Sequence, residues 1–312
     1  MIVLTVVATK GGVGKTTTTA NLGGLLRDLG FRVLLIDADV QPSLSKYFKY
    51  ESVAESGLTK VVTSGFLSPD CISRIALPFE EFRIAENLPR QPVLSIVRSD
   101  TREGNLQDWL SPRLDRLVRL SMALRTESIE QQFDFVIIDT QGALGHLQDA
   151  AINAADILIS PATPDVLSAR EFIEGTLNLI NRTEQAVNLG HKVPAMRAII
   201  NRTENTRDSR HMADLIRDGF IALRGRVTVM GPAIPAIVAF KKAATMQVPV
   251  HWVDPARAGD AMHQILWELI PSLEGKLAAN HRDYVPPSQL SDSTPTALPA
   301  ATSAPCPTSE SE

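Results

Sequence analysis

The sequence predicts an α/β fold with a mostly parallel central sheet and helices on both faces. Three observations carry this. Short apolar runs rich in β-branched residues alternate with helix-like segments from the first residue onward, the pattern of consecutive βαβ units. The first run opens onto a glycine-rich stretch, Gly11-Gly12-Val13-Gly14. Two other runs, Leu34-Leu35-Ile36 and Phe135-Val136-Ile137-Ile138, end on aspartate, and the carboxyl ends of parallel strands are where such folds place their sites.

Taken in order, residues 2–8 read as a buried strand. Residues 16–29 read as a helix closed by Gly30, and 32–36 as a second buried strand ending at Asp37. Further strands are expected at 135–138, 157–160, 198–200 and 227–230, with helical segments at 168–187 and 209–223. Between 106 and 129, Leu106, Leu110, Leu114, Leu117, Leu120 and Leu124 recur every three or four residues, which predicts one amphipathic helix with a core-facing stripe. Residues 51–100 fit neither period, because Pro69, Pro78, Pro89 and Pro92 interrupt them. One domain is expected over 1–285. Residues 286–312, dominated by Pro, Ser, Thr and Ala, bury too little apolar surface to offset their ordering entropy and are expected to be a disordered tail.

Composition narrows the class. With 312 residues, 44% hydrophobic, the chain can bury a large core without metals or disulfides. A formal net charge of −4 rules out a whole-molecule basic field, so contact with nucleic acid or an anionic surface needs a local patch. Cys71 and Cys306 lack paired spacing and the start lacks a basic leader, which predicts a reducing, cytoplasmic setting. Charges or prolines interrupt every apolar stretch before the roughly 20 residues of a spanning helix, so no membrane association is expected. The six histidines are scattered, without metal-ligand spacing.

The chemistry concentrates in Thr9-Lys10-Gly11-Gly12-Val13-Gly14-Lys15-Thr16. A phosphate loop reads G-x-x-x-x-G-K-[ST] between a strand and a helix, so that backbone N–H groups and the helix N-terminus converge on phosphate oxygens. Gly14-Lys15-Thr16 fits this pattern, and the order of strand, glycines, lysine, threonine and helix predicts a P-loop NTPase that binds and hydrolyses ATP with Mg²⁺. Lys15 is expected to bridge the β and γ phosphates, and Thr16, followed by Thr17, to place its hydroxyl on Mg²⁺. Thr9 stands where the first glycine would be, and Lys10 is an additional lysine. A loop this tight aims one ammonium group at its own ligand, which places Lys10 to reach a neighbour's nucleotide.

Lys10 to Thr16 match K-G-G-x-G-K-T, and here the chain resembles the deviant Walker A ATPases: the ParA-type partition ATPases, MinD and the nitrogenase iron protein. The resemblance implies that Lys10 crosses a dimer interface, so that ATP is sandwiched in a homodimer. It implies that Asp39 of Asp37-Ala38-Asp39 positions the attacking water, that Asp37 supports Mg²⁺, and that Asp139 holds the Mg²⁺ shell. It implies an adenine-binding wall from Asn201, from Ile234-Pro235 and from the run Gln247-Val248-Pro249-Val250. Where partition ATPases continue D-T-P-P, this chain has Asp139-Thr140-Gln141-Gly142, which leaves the Mg²⁺ role intact and changes the loop that follows.

The resemblance runs over about residues 2–275, strongest in the first 45 and around Asp139. Without paired cysteines the iron-sulfur branch is excluded, and a basic amphipathic helix of the MinD kind is not seen at the end of the sequence. What remains implies a short ParA or Soj-type protein that binds DNA nonspecifically as an ATP dimer, at the nucleoid, until a ParB-like partner stimulates hydrolysis. Lys241 and Lys242, after Ile234-Pro235, are the candidates for phosphate contact where that group carries arginines. The arginines from 197 to 226 are interleaved with Asp208, Asp214 and Asp218, which equally describes a mixed-charge surface. Two other classes stay open: a MinD-like or scaffolding ATPase that positions a cellular machine without DNA, and a P-loop ligase of the dethiobiotin synthetase kind.

Overall fold

The computed structural model describes residues 1–77, 91–101, 105–142, 145–187, 194–221 and 226–278. The predicted tail lies outside these residues, as do Pro78, Pro89 and Cys306. Among the described residues one nine-stranded sheet runs in the order β3-β4-β5-β2-β6-β1-β7-β8-β9. Its strands are β1 Ile2–Val6, β2 Arg32–Ala38, β3 Lys49–Ser52, β4 Ser73–Ala76, β5 Val93–Val97, β6 Phe135–Thr140, β7 Ile157–Ala162, β8 Ala195–Thr203 and β9 Val227–Pro235. From β5 across to β9 all neighbours are parallel, whereas β4 pairs antiparallel with both β5 and β3. The helices are α1 Lys15–Asp28, α2 Leu58–Ser64, α3 Asn105–Leu110, α4 Arg119–Leu124, α5 Glu127–Gln132, α6 His146–Ala154, α7 Val166–Val187, α8 Arg207–Ile221, α9 Val238–Met246, α10 Val250–Val253 and α11 Asp260–Leu269.

Both faces of the sheet are covered, which is why its strands are apolar throughout rather than alternating. Along β2, Val33 and Leu35 enter one cluster with Leu22, Leu25 and Leu26 of α1 and Met262, Ile265 and Leu266 of α11. Leu34 and Ile36 point the opposite way, into a cluster with Val61 of α2, Leu120 of α4 and Leu147 of α6. Helix α1 ends as the sequence predicts. Gly30 takes φ 98°, its N–H donates to Arg27 O at 2.9 Å, and Phe31 N donates to Leu26 O at 3.1 Å, the paired bonds of a Schellman cap.

The single helix expected over 106–129 is a correction. Three short helices, α3 to α5, occupy this span, separated by turns at 111–118 and 125–126. Pro112 lacks an N–H to continue a helix. Leu106, Leu110, Leu120 and Leu124 do reach the core, but Leu114 is 99% exposed. The stretch left unassigned, 51–100, supplies α2, β4 and β5 and the end of β3. Two of these strands are four residues long with a register shift between them, too short to show a period.

The sheet edges differ in how they are closed. On β3, Lys49 and Glu51 are exposed, and Glu51 pairs with Arg74 of β4 at 3.0 Å. On β9, the Gly231 N–H donates to the Glu268 carboxylate of α11 at 3.0 and 3.3 Å.

Candidate functional site

The carboxyl ends of β1, β2 and β6 converge at one place in the sheet. In register, Val6 of β1 stands opposite Asp139 of β6, and Asp139 stands opposite Asp37 of β2. The glycine-rich loop leaves β1 beside this pair and enters α1. Gly12 and Gly14 have φ of 77° and 97°, a conformation that a Cβ disfavours. Gly14 is the N-cap of α1 and no side chain caps the helix, so the N–H groups of its first turn, which have no intrahelical partner, face the loop.

The loop is clamped from three sides. Asn201, buried at the end of β8, donates from Nδ2 to the Val13 carbonyl at 2.6 Å, and a Cβ on Gly14 would lie 2.1 Å from that nitrogen. Gly142 lies behind the loop: a Cβ there would meet Gly11 N at 3.0 Å and Lys10 C at 3.1 Å. Gly175 of α7 lies against Thr9, whose Oγ1 would be 2.0 Å from an added Cβ. Two of these contacts involve the departures read in the sequence, since Thr9 needs Gly175 and Gly142 replaces a proline.

Lys15 is buried, and Lys10 is half-buried beside the exposed Gly11 and Gly12. Burial holds the Lys15 ammonium below the usual lysine range, while the charges of Asp139 and Asp39 pull it back up. Thr16 Oγ1 donates to Asp139 Oδ2 at 2.6 Å. Asp37 Oδ2 accepts from both the N–H and the hydroxyl of Ser45 at 2.7 Å. Asp39 N–H donates to Asp37 Oδ1 at 3.3 Å, and Asp39 Oδ1 accepts from Gln41 N at 2.9 Å. Ser99 Oγ, after β5, donates to the Asp39 carbonyl at 2.5 Å. Burial raises the Asp37 carboxyl to about 6, with the Ser45 bonds opposing. Burial and then the charge of Asp37 raise that of Asp139 far above the usual carboxylate range.

Thus Lys10, Gly11, Gly12, Val13, Gly14, Lys15, Thr16, Thr17, Asp37, Asp39 and Asp139 meet at one end of the sheet. Asp139 Oδ1 is buried with no hydrogen-bond partner, next to a threonine hydroxyl and a second buried carboxylate. An all-oxygen donor set with an unmet carboxylate oxygen fits a small hard cation such as Mg²⁺. Of the residues expected at the base wall, Asn201 has its amide on the loop, and Pro235 ends β9 in register with Thr203. The run Gln247-Val248-Pro249-Val250 packs on α1. Val250 N donates to Asn21 Oδ1 at 2.6 Å, and a Cβ on Gly24 would meet Pro249 at 2.4 Å. The far end of α1 is tied to the same region, because buried Asp28 accepts from His251 Nε2 at 2.8 Å and Trp252 Nε1 at 2.6 Å.

Lys241 and Lys242 lie on α9, exposed, apart from these residues in the chain. Lys242 lines an open groove of about 620 Å³ with Ile237, Val253 and Arg257. Of the arginines read as candidates beside them, Arg217 pairs with Asp214 at 3.0 Å and Arg226 donates from Nε to Glu184 at 2.8 Å; Arg224 lies outside the described residues. Sequence reasoning missed Ser45, Ser99 and Gly175. Ser45 follows Asp39 within a proline-containing turn, but no spacing rule marks it, and the other two come from elements whose contacts only folding reveals. No group of three or more potential metal-ligating His, Cys, Asp or Glu side chains occurs among the described residues.

Residues 1–192 match the sequence family described as AAA domain. The chain belongs to the ParA/MinD family of P-loop proteins. Among ParA/MinD relatives, it is 30% identical to the sporulation initiation inhibitor protein Soj of Bacillus subtilis over 180 residues, 57% of this chain and 64% of that protein. It is likewise 30% identical to the maintenance of carboxysome distribution protein A of Synechococcus elongatus over 181 residues, 58% of this chain and 65% of that protein. The chain therefore matches less than two thirds of the length of these relatives. The fold is similar to that of apo McdA from Cyanothece, with a TM-score of 0.70 at 21% identity over 86% of this chain and 99% of that one.

Proposed function

We propose that this chain is a ParA-type ATPase that positions a cargo by cycling between a monomer and an ATP-bound dimer. One observation carries the reading: the two lysines of a single loop occupy different places. Lys15 is buried at the start of α1 in the field of Asp139 and Asp39, whereas Lys10 sits at the rim beside exposed Gly11 and Gly12. Lys15 holds the β and γ phosphates of its own nucleotide, and Lys10 reaches the nucleotide of a second copy. Asp39, held by Gln41 and Ser99, orients the attacking water. Thr16, Asp37 and Asp139 hold Mg²⁺, which when bound neutralises charge on the transferred phosphoryl group. No arginine finger is read in the sequence, which agrees with slow basal hydrolysis that a ParB-like partner accelerates.

In this reading the ATP dimer binds DNA without sequence preference, with Lys241 and Lys242 as phosphate contacts, and the cargo is a plasmid, a chromosome or an integrated element. The protein works in the cytoplasm at the nucleoid. The test is light scattering and DNA mobility shift with Asp39→Ala, which blocks turnover. An ATP-dependent dimer with salt-sensitive binding to random duplex supports it, and an ATP complex that stays monomeric overturns it.

A second reading, a scaffolding ATPase that positions a cellular machine without coating DNA, is favoured by the pairing of Arg217 and Arg226 with acidic neighbours. It is supported if the ATP-bound dimer forms but shows no salt-sensitive DNA binding.

A further inference from the structure

Three glutamines, Gln107, Gln141 and Gln148, meet behind the phosphate loop. Gln148 of α6 is fully buried. Its Nε2 donates to the Gln141 carbonyl at 3.2 Å and reaches the carbonyl of Ala8, the residue before the loop, at 3.5 Å. Gln107 of α3 accepts at Oε1 from the Leu147 N–H in the first turn of α6, at 3.1 Å. Gly145 lies between them: a Cβ there would be 2.7 Å from Gln141 Nε2 and 2.8 Å from Gln107 Nε2.

These bonds define which end of each amide is which. They leave Gln148 Oε1 as a buried acceptor and Gln107 Nε2 as a buried donor, both without partners. A half-satisfied buried network is costly, so any rearrangement that pairs these two amide ends is favoured by what it satisfies. The neighbouring Gly142 backbone abuts Lys10 and Gly11, so a change in the loop shifts Gln141 and with it the bond to Gln148.

We infer that Gln148 is a positioning residue for nucleotide turnover, which holds the Gln141-Gly142 segment against the phosphate loop and, through Gln107, passes the state of the loop to α3. The inference rests on the nucleotide reading of that loop. It requires a segment with two arrangements that both the loop and α3 bias.

The test is hydrogen exchange of the full chain with ADP and with a non-hydrolysable ATP analogue, in wild type and in Gln148→Met, which keeps the volume and removes the amide. In wild type, both nucleotides should protect residues 9–17, while exchange in α3 should differ roughly threefold between them. In Gln148→Met the loop protection should stay and the α3 difference should vanish. Turnover should fall about tenfold in kcat with KM little changed. Gln107→Met should remove the same α3 response from the other side. An α3 difference that survives in Gln148→Met, or that is missing in wild type while the loop is protected, overturns the inference. Wild-type loop peptides left unprotected by both nucleotides overturn the nucleotide reading itself, and the inference with it.

Discussion

Asp37 and Asp139 face each other across adjacent parallel strands, both wholly buried, with the buried Lys15 ammonium in the field of Asp139. Two buried carboxylates cannot both be charged cheaply. The Asp37 carboxyl takes a proton at about 6 when folded, against 3.8 for an ordinary aspartate, so the folded protein binds more protons between these values. The penalty is fully present above the folded value and relaxes as pH falls toward 4. Asp37→Asn, which keeps an oxygen for Ser45, should therefore stabilise the nucleotide-free protein at pH 8 by about 1–3 kcal/mol. It should gain little at pH 4 and should lose Mg²⁺-dependent turnover. Thermal melts at the two pH values, without nucleotide, check this.

The two lysines of the loop should separate on mutation. Lys15→Ala should weaken nucleotide binding by about a hundredfold or more, since it removes a buried charge from the phosphate site. Lys10→Ala should spare binding by the monomer and remove the ATP-dependent dimer with its hydrolysis. Fluorescent-nucleotide titration and light scattering read the two effects. Equal dimerisation of the Lys10 variant would sink the assignment.

Gly142→Ala tests the backing of the loop. The added methyl meets backbone atoms of Lys10 and Gly11 at 3.0–3.1 Å, which cannot rotate away as a side chain would. Overpacking of this kind costs about 1–3 kcal/mol. Because the strain falls on the loop, nucleotide affinity should drop about tenfold, while the melting temperature of the nucleotide-free protein falls by roughly 2–4 °C per kcal/mol of that cost.

Asp28→Asn probes the anchor at the far end of α1. Burial alone would raise the Asp28 carboxyl, but the hydrogen bond and charge of His251, with Arg27, hold it below the usual value of 3.8. A depressed acid contributes stability above its unfolded value and loses it as pH falls through the folded one. The variant should lose about 2–4 kcal/mol at pH 7, and the gap to wild type should close below pH 4. Urea titrations across pH measure it.

Much of this site was legible in the chain. Lys10 to Thr16, Asp37, Asp39 and Asp139 are local signals, since each sits within or just after a strand whose apolar run announces it. Asn201 was legible as a residue after a strand, but its bond to Val13 spans 188 positions, and no window of sequence contains both partners. The same holds for Ser99, 60 positions from Asp39, whose role exists only because β2 and β5 are neighbours, whereas Ser45 lies eight positions from Asp37 in a turn that no spacing rule marks. The error at 106–129 has another cause: leucine spacing survives a break in the backbone, so Leu106 and Leu124 share a core without sharing a helix.

The closure of the sheet edges has a consequence for how copies of this chain can stack. Strand β3 is short and charged, and the outward N–H of Gly231 on β9 is already taken by Glu268. Among the described residues, the charges on β3 and the occupied Gly231 N–H on β9 both disfavour pairing with a neighbour's strand. Growth into a ribbon by sheet extension is therefore disfavoured at both ends, which directs contacts between copies of the folded protein to side-chain surfaces.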